Sequence, residues 1–225
     1  LWSLKRARTA VAVSDYVRKR ALTLAPWADG RMRVIRNGVD TAYFTERPWR
    51  SELQPLRLAV VGRLEPRKGI DRAIDAMALL PHATLAIIGD GQSRAVLEER
   101  ARTRKVEDRV TFHGYQADVR PILEEAHALL STSRDEGLGI ALLEGMAMAR
   151  PVIGFRVGGV GEIVEHGVTG FLTSDQTAEG LRASVEDAVM FSDLRLLGIR
   201  ARRFVVEQAS DAAMREVTVT MPASS

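Results

Sequence analysis

Along most of the chain, short runs of apolar residues alternate with segments whose apolar positions recur every three or four residues. From Leu56 onward the short runs are rich in valine, isoleucine and leucine, as in strands that are buried on both faces. The predicted strands cover residues 56–62, 84–89, 109–114, 128–133, 151–155 and 170–173.

The segments between these runs predict helices, most clearly in the stretch GIDRAIDAMALL at residues 69–80. The predicted helices cover residues 69–80, 93–104, 117–127, 140–149, 161–167, 177–190 and 193–208. Strands that alternate with helices form parallel sheets through right-handed crossovers. The chain is therefore predicted to have an α/β fold, with a Rossmann-like parallel sheet and helices on both faces.

The first 40 residues follow this alternation less well. The pattern predicts a strand at 9–14, a helix at 15–24 and a second strand at 33–39 with an Asn37-Gly38 turn. A strand without neighbours exposes its backbone N–H and C=O groups. We therefore expect residues 1–24 to be mobile in a monomer, or ordered only by a second copy or a further domain.

A polar stretch interrupted by two prolines, residues 45–55, predicts a linker. We place a domain boundary there. The predicted units are residues 1–45, a sheet domain at 46–210 and a tail at 211–225.

Composition narrows the possible functions. The 225 residues include no cysteine, which excludes disulfides and thiolate metal sites, and contain no apolar run long enough to cross a membrane. Residues 1–68 carry 15 Lys and Arg against 6 Asp and Glu, whereas the remainder carries 17 against 23. Such a basic end is compatible with nucleic acid, anionic lipid, a phosphorylated ligand, an acidic partner or a merely solvated face.

Charged residues and glycines follow several of the predicted strands. Arg63 and Lys68 come after the first strand of the sheet domain, Tyr115 after the third, and the sequence RDEGLG after the fourth. In an open parallel sheet, ligands bind beyond the carboxyl ends of the strands. These residues therefore predict a binding site along one edge of the sheet.

The stretch RDEGLGIALLEGM, residues 134–146, combines two glutamates with a glycine-rich turn before a helix. Gly137 and Gly139 allow a tight turn, and the helix start that follows suits a phosphate group. Glu136 and Glu144 could accept hydrogen bonds from the hydroxyls of a sugar and a ribose on either side of a diphosphate. The alternative is that each glutamate only complements a helix dipole.

Other chemistries find less support in the sequence. The four histidines, His82, His113, His127 and His166, lack the spacing of metal ligands, and no Asp-x-Asp motif is present. The Gly89-Asp90-Gly91 segment lacks the full dinucleotide-binding fingerprint, which disfavours an epimerase or dehydrogenase.

Five segments of the chain share their pattern with one known family. They are IRNGVDTAYF, VVGRLEPRKGID, IIGDGQSRAVLE, SRDEGLGIALLEGMAMARPVI and VGGVGEIVEHGVTGFL. Together they resemble the retaining GT-B glycosyltransferases of the family-4 type over roughly residues 10–210. The chain departs from the usual pattern at Arg36, Gln92, Leu138 and Gly161, and the last two departures concern the identity of the donor.

This resemblance implies a site for a nucleotide-diphosphate sugar, with UDP or GDP as the nucleotide and with neither a metal nor another cofactor. The residues it implies as catalytic are Arg63 and Lys68, which would hold the diphosphate leaving group, and Glu136, which would contact the donor sugar. Glu144 would contact the ribose, and the chain near Tyr115 the base. The remaining donor-binding residues implied are Gly62, Gly137, Leu138, Gly139 and Ile140.

The resemblance also implies that the chain is the C-terminal half of a GT-B fold, with residues 1–45 as the closing segment of an N-terminal domain. That domain, or a second copy, would complete the enzyme. The acceptor would be a glycan, a lipid or a small molecule rather than nucleic acid. The implied setting is bacterial glycan biosynthesis in the cytoplasm, with peripheral contact at the inner membrane face as a further option. The alternative function is a stand-alone nucleotide-sugar binding or regulatory module without turnover.

Overall fold

The computed structural model describes residues 7–191 and 193–219 of the chain. Two parallel strands, β1 (Ala10–Ala12) and β2 (Met32–Val34), form a small sheet near its start. The main sheet has six parallel strands. These are β3 (Leu56–Val61), β4 (Ala83–Ile88), β5 (Val110–Gly114), β6 (Ala128–Ser131), β7 (Val152–Phe155) and β8 (Gly170–Thr173).

Helices connect the strands and cover the main sheet. They are α1 (Asp15–Leu24), α2 (Ile70–Leu79), α3 (Arg94–Thr103), α4 (Arg120–Glu125), α5 (Ile140–Ala147), α6 (Val160–Ile163), α7 (Ala178–Phe191), α8 (Leu194–Gln208) and α9 (Asp211–Val219). Helix α2 packs against α7, and α5 packs against α8. The α/β fold class predicted from the sequence is confirmed.

The order of the strands in the main sheet is β5-β4-β3-β6-β7-β8. Strand β3 is followed along the chain by β4 on one side, while β6 on its other side is followed by β7. The direction of winding therefore reverses between β3 and β6, where Leu58 pairs with Ala128 and Ala59 with Leu129. The loops that leave these two strands diverge, and the crevice between them is where such sheets bind ligands.

The expectation of an isolated first strand is wrong. Strand β1 pairs with β2, so that Ala10 lies opposite Met32, and helix α1 begins at the N-cap residue Ser14. Residues Ala25, Ala28 and Met32 form a small buried cluster beneath α1. The segment from residue 7 onward is thus ordered within the chain, while residues 1–6 of the predicted mobile segment lie outside the described residues.

The end predicted for the strand at 33–39 is also wrong, because β2 already ends at Val34. The chain continues to Val39, which forms an isolated parallel bridge with Ser210. Here it meets a helix that was predicted as part of a tail at 211–225, since α9 spans Asp211–Val219. The backbone N–H of Asp211 donates a hydrogen bond to Val39 O at 3.2 Å, which joins the two ends of the domain.

Candidate functional site

A cavity of about 340 Å³ lies at the carboxyl ends of β3 and β6, in the crevice where the sheet reverses its winding. Six of the residues predicted to bind a donor line it together: Lys68, Glu136, Gly137, Leu138, Gly139 and Ile140. Both loops are placed by the strands that precede them, since Lys68 follows β3 and the others follow β6. The fold thus assembles most of the predicted site.

Two of the residues that line this cavity form an ion pair. Lys68 Nζ donates a hydrogen bond to Glu136 Oε2 at 2.7 Å, and their side chains are 21% and 15% exposed. Ser133 Oγ donates to the same carboxylate oxygen at 3.0 Å. Thr132 Oγ1 donates to the backbone oxygen of Lys68 at 2.9 Å and ties the two loops together. An ammonium group has three donors, so Lys68 can contact an anion while it keeps Glu136.

The glycine-rich turn leads directly into α5. Gly139 is the N-cap residue of this helix and adopts a left-handed conformation, with φ of 95°, that favours glycine. Among the described residues, none accepts a hydrogen bond from the backbone N–H groups of Gly137 to Ile140. Free N–H groups at a helix start, together with its dipole, attract an anion.

Two further glycines hold this turn in place from the loop after β7. Gly159 N donates to Glu136 O at 2.9 Å. A Cβ atom on Gly158 would lie 2.0 Å from the same oxygen, and one on Gly159 would lie 2.3 Å from Gly137 O. The backbone of residues 136–137 can approach this loop so closely only because both positions lack a side chain.

Glu144 lies one turn beyond Ile140 in α5, on the same side of the helix. Burial raises the pKa of the Glu144 carboxyl above its ordinary value. Within the described part of the chain its side chain has no hydrogen-bond donor and no cationic partner. A partly buried carboxylate without a partner is well suited to accept hydrogen bonds from a ligand.

Four of the ten predicted residues lie outside the lining of the cavity, and the roles of all ten stay predictions. Arg63 is exposed and makes no ion pair with any residue that the structure describes. A Cβ atom on Gly62 would lie 3.5 Å from the side chain of Lys68, so this position borders the ion pair. Tyr115 is 78% exposed and follows β5, the outermost strand on its side of the sheet. Glu144, described above, is the fourth predicted residue that does not line the cavity.

The structure adds residues that the sequence reasoning missed, among them Ser133, which donates to Glu136, and two from the first part of the chain. Val13 and Asn37, from either side of β2, line the same cavity as Lys68 and Glu136. Asn37 was interpreted only as a turn residue, although it is the sole asparagine of the sequence. Its amide carries donors and an acceptor for a polar ligand. No local pattern connects it to the cavity, because its position depends on the contact of Val39 with the C-terminal helices.

Two features are absent from the described ranges. No group of three or more histidine, aspartate and glutamate side chains is close enough to hold a metal ion there. None of the helices described has both the length and the apolar character needed to traverse a membrane.

The sequence matches the model of one protein family and is similar to several known proteins. The sequence model of the family described as glycosyl transferases group 1 matches residues 44–195. Glycogen synthase of Mycobacterium tuberculosis strain H37Rv is 30% identical over 194 residues, which cover 84% of this chain and 47% of that protein. The lipopolysaccharide core biosynthesis glycosyltransferase LpsE of Rhizobium meliloti is 33% identical over 165 residues, which cover 73% and 48%. The chain spans about half the length of these curated relatives.

The solved structures that resemble this chain share its fold. Alr3699/HepE of Anabaena, in complex with UDP, superposes with a TM-score of 0.85 and 24% identity over 95% of this chain and 63% of that one. The complex of the same protein with UDP-glucose superposes with a TM-score of 0.81 and 25% identity over 96% and 64%.

Proposed function

Because the chain belongs to the glycosyl transferases group 1 family, we propose that it binds the nucleotide-diphosphate sugar that donates the sugar in a glycosyl transfer reaction. The observation that carries this proposal is the cavity between β3 and β6. It combines a lysine, a carboxylate and unpaired backbone N–H groups at a helix start. This set matches a ligand that has both a diphosphate and hydroxyl groups.

The diphosphate is the part of the donor that the cavity recognises by charge. Its oxygens would accept hydrogen bonds from the N–H groups of Gly137 to Ile140 and from Lys68 Nζ. Arg63, which is exposed, would approach from the loop after β3. Both cations would stabilise the charge that develops on the diphosphate as the sugar leaves. The protein would then need no metal for this step.

The two glutamates would bind the two ends of the donor. Glu136 Oε2 already accepts hydrogen bonds from Lys68 and Ser133, so its other oxygen would accept from a sugar hydroxyl. Glu144, one turn further along α5, would accept from the ribose. Transfer with retention of configuration would follow if the acceptor attacks from the side on which the diphosphate leaves.

The acceptor site would be supplied from outside the described domain. The relatives are about twice as long as the region they share with this chain, which leaves room for a further domain. We propose that such a domain, or a second copy, provides the acceptor site beside Val13 and Asn37, where residues from before the linker already line the cavity.

The first test of this function is metal-free binding. Titration calorimetry with a panel of UDP- and GDP-sugars should give binding of at least one member, with the same affinity before and after treatment with a chelator. This result follows if cationic side chains and N–H groups alone balance the diphosphate. Loss of binding on chelation would contradict metal independence, and failure of the entire panel would contradict the function itself.

The second test separates the two glutamates. Glu144→Ala should weaken binding of the free nucleoside diphosphate, while Glu136→Ala should leave it nearly unchanged and weaken binding of the nucleotide sugar. Hydrogen bonds to a charged group contribute roughly 1.5–3 kcal/mol, so about tenfold to hundredfold losses are expected. Equal losses of free nucleotide in both variants would overturn this division of roles.

A further inference from the structure

Helix α1 holds the residue that precedes Glu136 in the chain. Tyr16 Oη donates a hydrogen bond to Asp135 Oδ1 at 2.8 Å, and Arg20 Nη1 donates to Asp135 Oδ2 at 2.8 Å. Arg20 Nη1 also donates to Tyr16 Oη at 2.9 Å. The side chain of Asp135 is therefore fixed by two residues one turn apart on the same helix.

The same helix also holds the residue that follows Glu136. The side chain of Ser14 is fully buried, and its hydroxyl donates to Gly137 O at 2.5 Å. The Ser14 oxygen accepts a hydrogen bond from Val17 N at 3.1 Å and so caps α1. A single hydroxyl therefore joins the start of α1 to the turn before α5.

A carboxylate from helix α6 completes this junction. Glu162 accepts hydrogen bonds from Asp15 N at 2.9 Å and Tyr16 N at 2.8 Å, the free N–H groups of the first turn of α1. Gly159, the N-cap residue of α6, donates from its backbone N to Glu136 O at 2.9 Å. The turn that carries Glu136 is thus held on one side by α1 and on the other by the start of α6, a helix that itself holds α1 through Glu162.

We propose that Ser14 and Tyr16 are positioning residues for Glu136, which place its unpaired carboxylate oxygen for the donor sugar. This inference rests on the proposed function. No described residue donates to Glu136 Oε1, so the direction of this oxygen is set by the Lys68 pair and by the backbone on either side. Ser14 holds the backbone oxygen of Gly137 and Tyr16 holds the side chain of Asp135, so both residues that flank Glu136 are fixed from a segment more than a hundred positions earlier in the chain.

The test compares two affinities in each variant by titration calorimetry. The ligands are the panel nucleotide sugar that binds the wild type most tightly and its parent nucleoside diphosphate. Ser14→Ala and Tyr16→Phe should each weaken binding of the nucleotide sugar roughly twofold to tenfold, as expected for one neutral hydrogen bond, with a smaller change for the nucleoside diphosphate. In a Glu136→Ala background, both substitutions should lose this effect on the nucleotide sugar, because they act through that carboxylate.

Loss of the serine cap lowers stability as well, so a matched control is needed. Asp193 caps α8 through Arg195 N and Leu196 N, and it lies outside the residues that line the cavity. Asp193→Ala should lower the melting temperature like Ser14→Ala but leave both affinities unchanged. Tyr16→Phe keeps the Ser14 cap intact, so it measures the positioning effect independently of the loss of the cap.

The outcomes separate the two proposals. If Glu136→Ala weakens binding of the nucleotide sugar but Ser14→Ala and Tyr16→Phe do not, or if their effects persist undiminished without Glu136, the positioning role is wrong and the proposed function stands. If Glu136→Ala has no effect on the nucleotide sugar, both the sugar contact and the positioning role are overturned.

Discussion

Replacement of Gly158 by alanine is expected to lower the free energy of unfolding by about 2–5 kcal/mol. The residue adopts φ of 53°, and the added Cβ atom would lie 2.0 Å from Glu136 O, with backbone atoms on both sides of the contact. The left-handed conformation costs roughly 1–2 kcal/mol for a residue with a side chain, and overpacking roughly 1–3 kcal/mol more. Urea denaturation of the full chain measures the sum.

Gly167 supplies the matched control for this prediction. It also has a left-handed conformation, with φ of 77°, but a Cβ atom added there would meet nothing within 4 Å. Gly167→Ala should therefore show only the backbone cost of about 1–2 kcal/mol. Equal losses in the two variants would mean that the contact between Gly158 and Glu136 O does not constrain the turn.

Loss of the lysine charge in the cavity should produce a large change in binding. Lys68→Met keeps most of the length of the unbranched side chain but removes its charge and its hydrogen bond to Glu136. Binding of the nucleoside diphosphate should weaken about tenfold to hundredfold, because a charge-assisted hydrogen bond contributes roughly 1.5–3 kcal/mol. The effect should shrink as salt increases, but less than for an exposed charge, since Lys68 is 21% exposed.

Lys105→Met is the control for Lys68→Met. Lys105 is an exposed residue beyond α3, far along the chain from both loops of the cavity. The Lys105→Met substitution makes the same change in net charge as Lys68→Met, but at a residue that does not line the cavity. A similar loss of affinity in both variants would attribute the effect to net charge and remove Lys68 from the diphosphate site.

The regular part of the fold could be predicted because each element carries its own signal. Helix α1 and strand β8 have the predicted bounds, residues 15–24 and 170–173. In α1 the N-cap serine marks the start, and in β8 a short apolar run between polar turns marks both ends. Such signals depend on residues only a few positions apart. Several of the glycines and charged residues after β3 and β6 likewise lie together at the edge of the sheet that the sequence indicated.

Elements that depend on distant contacts were predicted less well. Helix α9 was taken for a tail, although its start packs closely on Gly38, where a Cβ atom would lie 2.7 Å from Asp211 Cα. Strand β1 was expected to be isolated, although it pairs with β2 across α1. In both cases the partner lies outside the window over which apolar periodicity can be judged.

By itself, the sequence determined the alternation of strands and helices, and it determined which chemical groups stand at the strand ends. Only the tertiary structure decided that β3 lies beside β6, that Lys68 therefore meets Glu136, and that Ser14 reaches Gly137. The reason is physical. Local periodicity reflects the geometry of a single element, whereas the neighbours of a strand follow from how all the apolar faces of the chain are buried together.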